Sequence, residues 1–515
     1  MAGYIGKTVP TAQVKSTTEG RALLEAQSVE EQRISLDVYS QAEIDTNIYT
    51  KTEVDANIYT QVEADAKLAL QPPIIPTSTM LQGDLSLTNT VKELGAGKFL
   101  YTGNGTSQEI NVGVSSIDFT QSSNGTGFYH DRTAGDGIVK TDAGTIVESG
   151  EIAFKDVAGV DGVCQVHIKS RSLATNNLVY DGIRGVGEHI VTDSTGPETY
   201  NVTTLTGFTL NGLAVGNNAA VNENLATYIA YITLYTHIKW GLTSQGKRYI
   251  EAYNPVTNMG MILYQGSGAV GHQIPHSAGV ELDYFDVKTL GFAYGWVAYF
   301  GDETAYMSIN ETGAKATYAG YWNNTPPTSN ITLGLDGYVN GAYTYVAYYK
   351  AKSKIWTCGI YTGTGAAGNF VETVDSDGVA CEPHQLIIKR VDSTSNWMMF
   401  DNKRSDLGSY LNLSNTETDW PGLLYTLENG FKPNRQVGDD FDINAAGGQY
   451  FYQAFLIPAQ YSADVDGYFD NPTDTTQLQL TDGIYSISDG YGANGAVNEI
   501  VSKTGTVTPT GGWKE

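Results

Sequence analysis

The feature that most constrains this chain is a long internal repeat marked by Tyr-x-Gly-x-Gly. It occurs as Tyr101-Thr-Gly-Asn-Gly105, Tyr264-Gln-Gly-Ser-Gly268 and Tyr361-Thr-Gly-Thr-Gly365, each after an apolar run. A second marker follows in the same order, an asparagine five or six residues ahead of a tyrosine-rich stretch. It reads Asn222 before Tyr228-Ile-Ala-Tyr231, Asn340 before Tyr345-Val-Ala-Tyr348, and Asn444 before Tyr450-Phe-Tyr452. A third, aromatic-Asp-x-x-Arg, runs from Tyr180-Asp181 to Arg184 and from Phe400-Asp401 to Arg404, and the middle copy lacks its arginine. Short alternating runs such as Val166-His-Ile-Lys and Leu386-Ile-Ile-Lys are separated by Gly, Asn and Ser clusters, the pattern of strands joined by turns. Repeats of about one hundred residues built this way predict tandem two-sheet sandwiches. The copies are expected at 99–235, 259–350 and 351–460, with linkers at 72–98 and 236–258 and a C-terminal tip or appendix at 461–515.

Composition agrees with a mainly β chain: 58 Gly and 34 Tyr against 15 Pro in 515 residues, and only 17% charged. Lys plus Arg total 30 and Asp plus Glu 56, a net charge of −26. Such a surface argues against nucleic acid and against a polybasic membrane-surface protein, both of which need clustered cations. No apolar run approaches the ~20 residues of a membrane span, so no membrane insertion is expected. Cys164, Cys358 and Cys381 are too few to staple a chain of this length, and folding is expected to rest on burial.

Ahead of the β copies, three ten-residue repeats begin at Tyr39, Tyr49 and Tyr59. In each, Ser or Thr precedes Glu by three residues (Ser40/Glu43, Thr50/Glu53, Thr60/Glu63), the spacing of a helix-starting capping box. Val38, Ile44, Ile48, Val54, Ile58 and Leu68 make an apolar stripe too thin to bury itself within one chain. Residues 19–71 are therefore expected to be a helical, homotrimeric stalk, closed by the helix-breaking Gln71-Pro-Pro-Ile-Ile-Pro76.

Candidate chemistry is sparse, and no enzyme is expected. Gly266-Ser-Gly-Ala-Val-Gly271 matches a dinucleotide fingerprint, but His272-Gln-Ile-Pro-His276 follows where a helix is required. The seven histidines lie at no zinc-binding spacing, and no catalytic residue or cofactor is assigned. Asp439-Asp440-Phe-Asp442 is acidic, and Asp464-Val-Asp466-Gly-Tyr-Phe-Asp470 offers oxygen donors around a glycine, which makes Asp464, Asp466 and Asp470 a calcium candidate without the closing Glu of the full loop. The aspartates and arginines of the third marker are read as ion pairs or turn hydrogen bonds inside the sandwich. Tyr321-Trp322-Asn323-Asn324, ahead of Thr-Pro-Pro327, is the ligand-contact candidate, because Pro and Asn mark exposed turn sequence.

Two groups of motifs carry a resemblance. Met1-Ala-Gly-Tyr-Ile-Gly-Lys followed by Tyr49-Thr-Lys-Thr-Glu-Val-Asp decads is one. The other is Tyr101-Thr-Gly-Asn-Gly-Thr, Val179-Tyr-Asp-Gly-Ile-Arg-Gly185, Asn323-Asn-Thr-Pro-Pro-Thr and Lys389-Arg-Val-Asp-Ser-Thr-Ser-Asn-Trp397. Together they resemble bacteriophage tail-fibre and related virion appendage proteins of marine podoviruses and cyanophages, with concanavalin/laminin-G-like domains. The resemblance implies jelly-roll, lectin-like modules, a virion location, and adsorption to a host surface glycan or protein. Residues 1–18 would be the virion attachment segment. Tail fibres of this kind carry a substantial N-terminal anchor, whereas little precedes the stalk here. The implied dock is a tail adaptor or nozzle protein, or a capsid protein. A capsid-attached head fibre, a decoration protein or a structural connector without receptor binding is the alternative implied role.

Overall fold

A computed structural model describes residues 91–92, 95–119, 149–157, 159–402, 407–434 and 442–457, and strands at 128–131, 138–141, 485–488, 497–501 and 507–509. The stalk residues Val38 to Leu68, the calcium candidates Asp464, Asp466 and Asp470, and Arg404 lie outside the described residues. Everything below concerns the compact unit Ile74–Glu515. Its described part is mainly β, and every sheet in it is antiparallel.

In chain order the first copy contains β1 (Ala96–Thr102), β2 (Gln108–Asn111), the hairpin β3 (Phe128–Asp131) and β4 (Ile138–Thr141), β5 (Gly150–Ala153), β6 (Val163–Ser170), β7 (Leu178–Asp181), β8 (Glu188–Val191), β9 (Thr199–Tyr200), β10 (Leu205–Phe208), β11 (Gly212–Val215), the single-turn helix α1 (Ala219–Asn222) and β12 (Thr227–Tyr235). The second has β13 (His237–Leu242), β14 (Arg248–Asn254), β15 (Met259–Gln265), β16 (His272–Pro275), β17 (Tyr284–Thr289), β18 (Val297–Tyr299), β19 (Ala305–Ser308), β20 (Ala316–Thr317), α2 (Ala319–Trp322), β21 (Asn330–Leu333), α3 (Gly337–Asn340) and β22 (Thr344–Lys350). The third has β23 (Trp356–Thr362), β24 (Val371–Glu372), β25 (Glu382–Arg390), β26 (Met398–Asp401), β27 (Leu407–Tyr410), β28 (Thr418–Asp419), β29 (Leu424–Leu427), β30 (Gly430–Pro433) and β31 (Gln449–Ile457). A small sheet of β32 (Tyr485–Ser488), β33 (Val497–Val501) and β34 (Val507–Pro509) follows.

The three copies share one topology. Their main sheets run β1-β12-β6-β7-β8-β9, β15-β22-β17-β18-β19-β20 and β23-β31-β25-β26-β27-β28, so the last strand of each copy, β12, β22 or β31, lies between β1 and β6, β15 and β17, or β23 and β25. Against one face packs a short sheet: β10-β11-β2, β16-β21 or β24-β30-β29. Between the two layers sit Phe99, Val166 and Tyr228 against Ile110 and Leu213 in the first copy. Phe285 and Ala347 face Ile274 and Leu333 in the second, and Leu386 and Ala454 face Phe431 in the third.

The sequence markers are the joints of this sandwich. The hydroxyls of Tyr101, Tyr264 and Tyr361 donate to the carbonyls of Val221, Val339 and Ile443, each at 2.7 Å. Their rings stack on Tyr228, Tyr345 and Tyr450 at 5.1, 5.2 and 5.1 Å. The first marker glycine must be glycine: a Cβ on Gly103, Gly266 or Gly363 would stand 2.1, 2.0 or 2.2 Å from the carbonyl oxygen of Glu223, Gly341 or Ala445. The second, Gly105, Gly268 or Gly365, has φ of +70°, +68° or +70°, a left-handed conformation that glycine adopts without strain. Asn222, Asn340 and Asn444 are wholly buried. Each takes a backbone N–H of the marker loop on its side-chain oxygen, from Asn104, Ser267 or Thr364 at 2.9 Å. Each amide then donates back to loop carbonyls, so the buried polar group is satisfied.

The opposite face of each main sheet is buried too, because the three copies close into a ring. Ile229, Val346 and Phe451, each following the stacked tyrosine of its copy, meet in one shared apolar core with Met261, Trp356 and Tyr348. Three equivalent backbone bonds of 2.9 Å join the copies head to tail: Glu198 N–H to the Leu290 carbonyl, Lys315 to Val391, and Glu417 to Arg171. The acceptors lie two residues beyond Lys169, Lys288 and Lys389, which are equivalent, buried, and each pushed down to about 8 by burial. Equivalent side chains reinforce each joint: Trp296 Nε1 donates to Val191 O (2.8 Å), Trp397 Nε1 to Ser308 O (2.9 Å), and Asn177 Nδ2 to Leu411 O (3.0 Å). One chain thus builds a closed, threefold-like body.

Three expectations change. Residues 236–258 are not a linker: β13 and β14 form a hairpin on the edge of β15, and β5 from the first copy's insertion pairs with β13. The hairpin buries Ile238, Trp240 and Ile250 in the shared core, which supplies the reason for its order. The 72–98 linker is shorter than expected, since β1 begins at Ala96 and Lys98 is buried, donating to His384 O at 2.6 Å in the third copy. The Asp181–Arg184 pair (2.5 Å) lies between copies rather than inside a sandwich, for Tyr348 of the second copy donates to Asp181 and accepts from Arg184.

Candidate ligand-binding surface

The second copy carries a row of aromatic rings at its surface. Phe292 and Tyr294, in the β17–β18 loop, lie 4.9 Å apart, and Tyr343 stacks on Phe292 at 5.3 Å. Tyr294 stacks on Tyr338 of α3 at 4.6 Å, and Tyr338 reaches Tyr321 of α2 at 6.0 Å. Tyr321 in turn meets Tyr306 and Tyr318 edge-on at 4.7 and 4.8 Å. Phe292 is 46% and Tyr318 42% exposed, whereas Tyr321, at 6%, forms the floor.

Position in the fold fixes these rings. Asp336 caps α3 by accepting the Tyr338 N–H at 2.8 Å, and its other oxygen accepts the Tyr318 hydroxyl at 2.8 Å, so one carboxylate orients two members of the row. Tyr294 is held through its backbone, since the buried ammonium of Lys288 donates to the Tyr294 carbonyl. Burial, then the carboxylates of Glu311 and Asp336, raise the Tyr338 phenol, and the Asp336 hydrogen bond raises that of Tyr318. Both therefore remain neutral hydroxyls at physiological pH. The arrangement offers exposed aromatic surface at Phe292 and Tyr318, with hydroxyl and carboxylate groups beside it, and no nucleophile–base pair.

The internal repeat provides a control on these positions. Counted from the shared lysine, asparagine and tyrosine, Tyr294 corresponds to Thr175 and Ser395, Tyr338 to Ala220 and Asp442, and Tyr343 to Ala226 and Gly448. All three copies share one topology with or without aromatics there, so the topology does not require them. Sequence reasoning passed over these residues. The missing signal is the alignment of the three copies on their markers, followed by a search for positions aromatic in one copy only.

Of the ligand-contact candidates, Trp322 is corrected. It is 1% exposed, donates Nε1–H to Ala305 O at 3.0 Å, and meets Phe285 edge-on at 4.7 Å, so it is core. The Pro/Asn signal marks the end of α2 rather than a binding loop. Asn323 and Asn324, at φ +50° and +49°, terminate the helix in the left-handed region that asparagine tolerates. The fingerprint glycines Gly266 and Gly268 belong to the sandwich joint, and strand β16 follows them. His272 is buried in that joint between Asn340 (2.9 Å) and Thr243 (2.7 Å). Among the described residues no group of three or more His, Cys, Asp or Glu could hold a metal ion.

A family model described as a domain of unknown function, DUF7483, matches residues 143–457. The chain belongs to this family. The DUF7483 stretch ends at the last residue of β31 and contains the whole aromatic row, while β1 and β2, which complete the first copy, precede it. No curated protein and no solved structure matches the chain.

Proposed function

We propose that this protein is a non-enzymatic structural component of a bacteriophage virion, a fibre whose β ring adsorbs to the host surface through the aromatic row of the second copy. The observation that carries the reading is that row, in which Tyr294, Tyr338 and Tyr343 stand where the two sister copies have small or polar residues. The decad stalk and the fibre-like N-terminal sequence support placement on a virion. In this reading Val38, Ile44, Ile48, Val54, Ile58 and Leu68 trimerise the stalk, residues 1–18 attach to a tail adaptor or capsid protein, and threefold display multiplies a weak contact by avidity. Closure of the ring within one chain favours a second reading, a capsid decoration that needs no partner chains to complete its head. Cryo-electron microscopy of virions separates the two: threefold projections from the tail fit the fibre, and copies spread over the capsid fit the decoration. Purified protein should compete with virion adsorption, and Tyr294→Ala should lose that competition. Wild-type protein that fails to compete would refute the adsorption role.

A further inference from the structure

We infer that the aromatic row takes an extended, uncharged polysaccharide and turns polyanionic ones away. The inference rests on the adsorption reading above and names the ligand class of the same surface.

Shape comes first. Phe292, Tyr294, Tyr338, Tyr321 and Tyr318 follow one another at 4.9, 4.6, 6.0 and 4.8 Å, a connected row whose two end rings, Phe292 and Tyr318, are exposed while Tyr321 lies buried beneath. A row with exposed aromatic surface at both ends suits a chain-like ligand whose units each present a flat apolar side. Pyranose rings do so: their axial C–H groups pack on an aromatic face while their hydroxyls point outward. Tyrosine matches that division, with an apolar body and a polar tip. The Asp336 carboxylate, which already accepts from Tyr318 and from the Tyr338 N–H, keeps lone pairs for sugar hydroxyls.

Charge then narrows the class. The groups acting on the phenols of Tyr318, Tyr321 and Tyr338 are carboxylates and other phenols, namely Asp336, Glu311 and neighbouring tyrosines. Glu311 is exposed, and the chain carries −26 overall. Uronate or sulfate groups on a ligand lying along the row would come within the ~10 Å over which charge is felt at 0.1 M salt. Each would meet like charge. A basic protein partner would instead be attracted, and its binding would weaken as salt rises.

The test uses the full chain with neutral glucan, mannan, galactan and xylan, with polygalacturonate and alginate as polyanions, and with periodate-treated or protease-treated cells of the adsorbing host. Expected is binding to a neutral polymer that changes little between 50 and 500 mM salt, weakens at least tenfold in Tyr294→Ala, and survives protease but not periodate on cells. Polyanions should bind at least tenfold more weakly and gain in Glu311→Gln, a surface change. Tyr425→Ala, at an exposed tyrosine of the third copy, is the control that leaves binding intact. Equal or tighter binding of polyanions overturns the inference and leaves adsorption standing. So does cell binding that protease abolishes and periodate spares, which makes the ligand a protein. Absence of both polysaccharide binding and competition with virions overturns the inference and the adsorption reading together.

Discussion

Removing one hydroxyl from an equivalent place in each copy tests whether the ring unfolds as one body. In Tyr101→Phe, Tyr264→Phe and Tyr361→Phe the ring stack survives, but a buried carbonyl (Val221, Val339 or Ile443) loses a donor at 2.7 Å. Leaving a buried acceptor unpaired costs about 1–3 kcal/mol. The three sites are built alike, so the three costs should agree within about 1 kcal/mol. How the loss appears depends on cooperativity. A single unit of roughly 360 residues has an unfolding entropy near 0.8 kcal/mol/K, so each variant lowers Tm by about 1–4 °C in one transition. An independent copy of roughly 110 residues would drop by about 4–13 °C alone, leaving two transitions unmoved. The ring predicts the first pattern, because the shared core and the three head-to-tail bonds couple every copy to both others. Differential scanning calorimetry of the full chain reads it directly. Separate transitions, only one of which moves per variant, would refute the ring as a cooperative unit.

Ring closure can be weakened at one joint. Glu417→Ala removes the partner of the Arg171 guanidinium at 2.8 Å, a pair 7% and 15% exposed, and should cost about 2 kcal/mol in urea unfolding, whereas Asp392→Ala, which breaks the more exposed Arg390 pair, should cost under about 1 kcal/mol. Equal costs would show that burial at the joint does not matter. The buried Lys288, pushed down to about 8, favours its neutral form in the folded chain, while the unfolded chain keeps its proton to about 10.4. Between those values the unfolded state binds more protons, so the stability of wild type relative to Lys288→Met should rise with pH from about 8 to 10, by at most about 1.4 kcal/mol per unit. A flat or falling difference would contradict the burial of the ammonium. If the stalk sets the oligomer, the full chain is a trimer by light scattering and residues 72–515 are monomeric. A stable trimer of the shorter chain would shift that role to the β body.

The repeat was legible because its joints use chemistry that few residues can supply. A backbone approach of about 2 Å to a would-be Cβ admits only glycine at Gly103, Gly266 and Gly363, and a buried amide bridging loop donors and acceptors selects Asn222, Asn340 and Asn444. Ring closure was not legible, since its backbone bonds leave no trace in side-chain identity. Even its equivalent side-chain donors differ in type: Asn177, Trp296 and Trp397 share only an N–H that reaches the neighbouring strand end. The hairpin 237–254 escaped notice because it belongs to one copy alone, and the repeat carries no information about an addition outside it. Trp322 was misplaced because the turn residues after it report where a helix stops, not which way the preceding side chain points.

The same contrast separates what the fold needs from what is left for function. Positions under one physical constraint in all copies hold one residue, as Lys169, Lys288 and Lys389 do, although each burial of an ammonium carries a desolvation cost. Where the constraint is local to one joint, the residue changes with its neighbour: Phe300 stands where the sister copies have Asp181 and Asp401, and it packs edge-on against Phe451 of the third copy at 5.8 Å. Thr175, Ala220 and Ala226 meet the requirements of the first copy's fold without an aromatic ring. Tyr294, Tyr338 and Tyr343 occupy the same places in the second copy and leave part of their aromatic surface in water, which folding alone does not ask of them. A substitution pair that transplants two of these rings onto partly exposed positions of the first copy, Thr175→Tyr with Ala220→Tyr, should therefore leave Tm within a few degrees of wild type and create a second binding surface. Loss of folding there would mean that the second copy's rings compensate for a local difference in its packing.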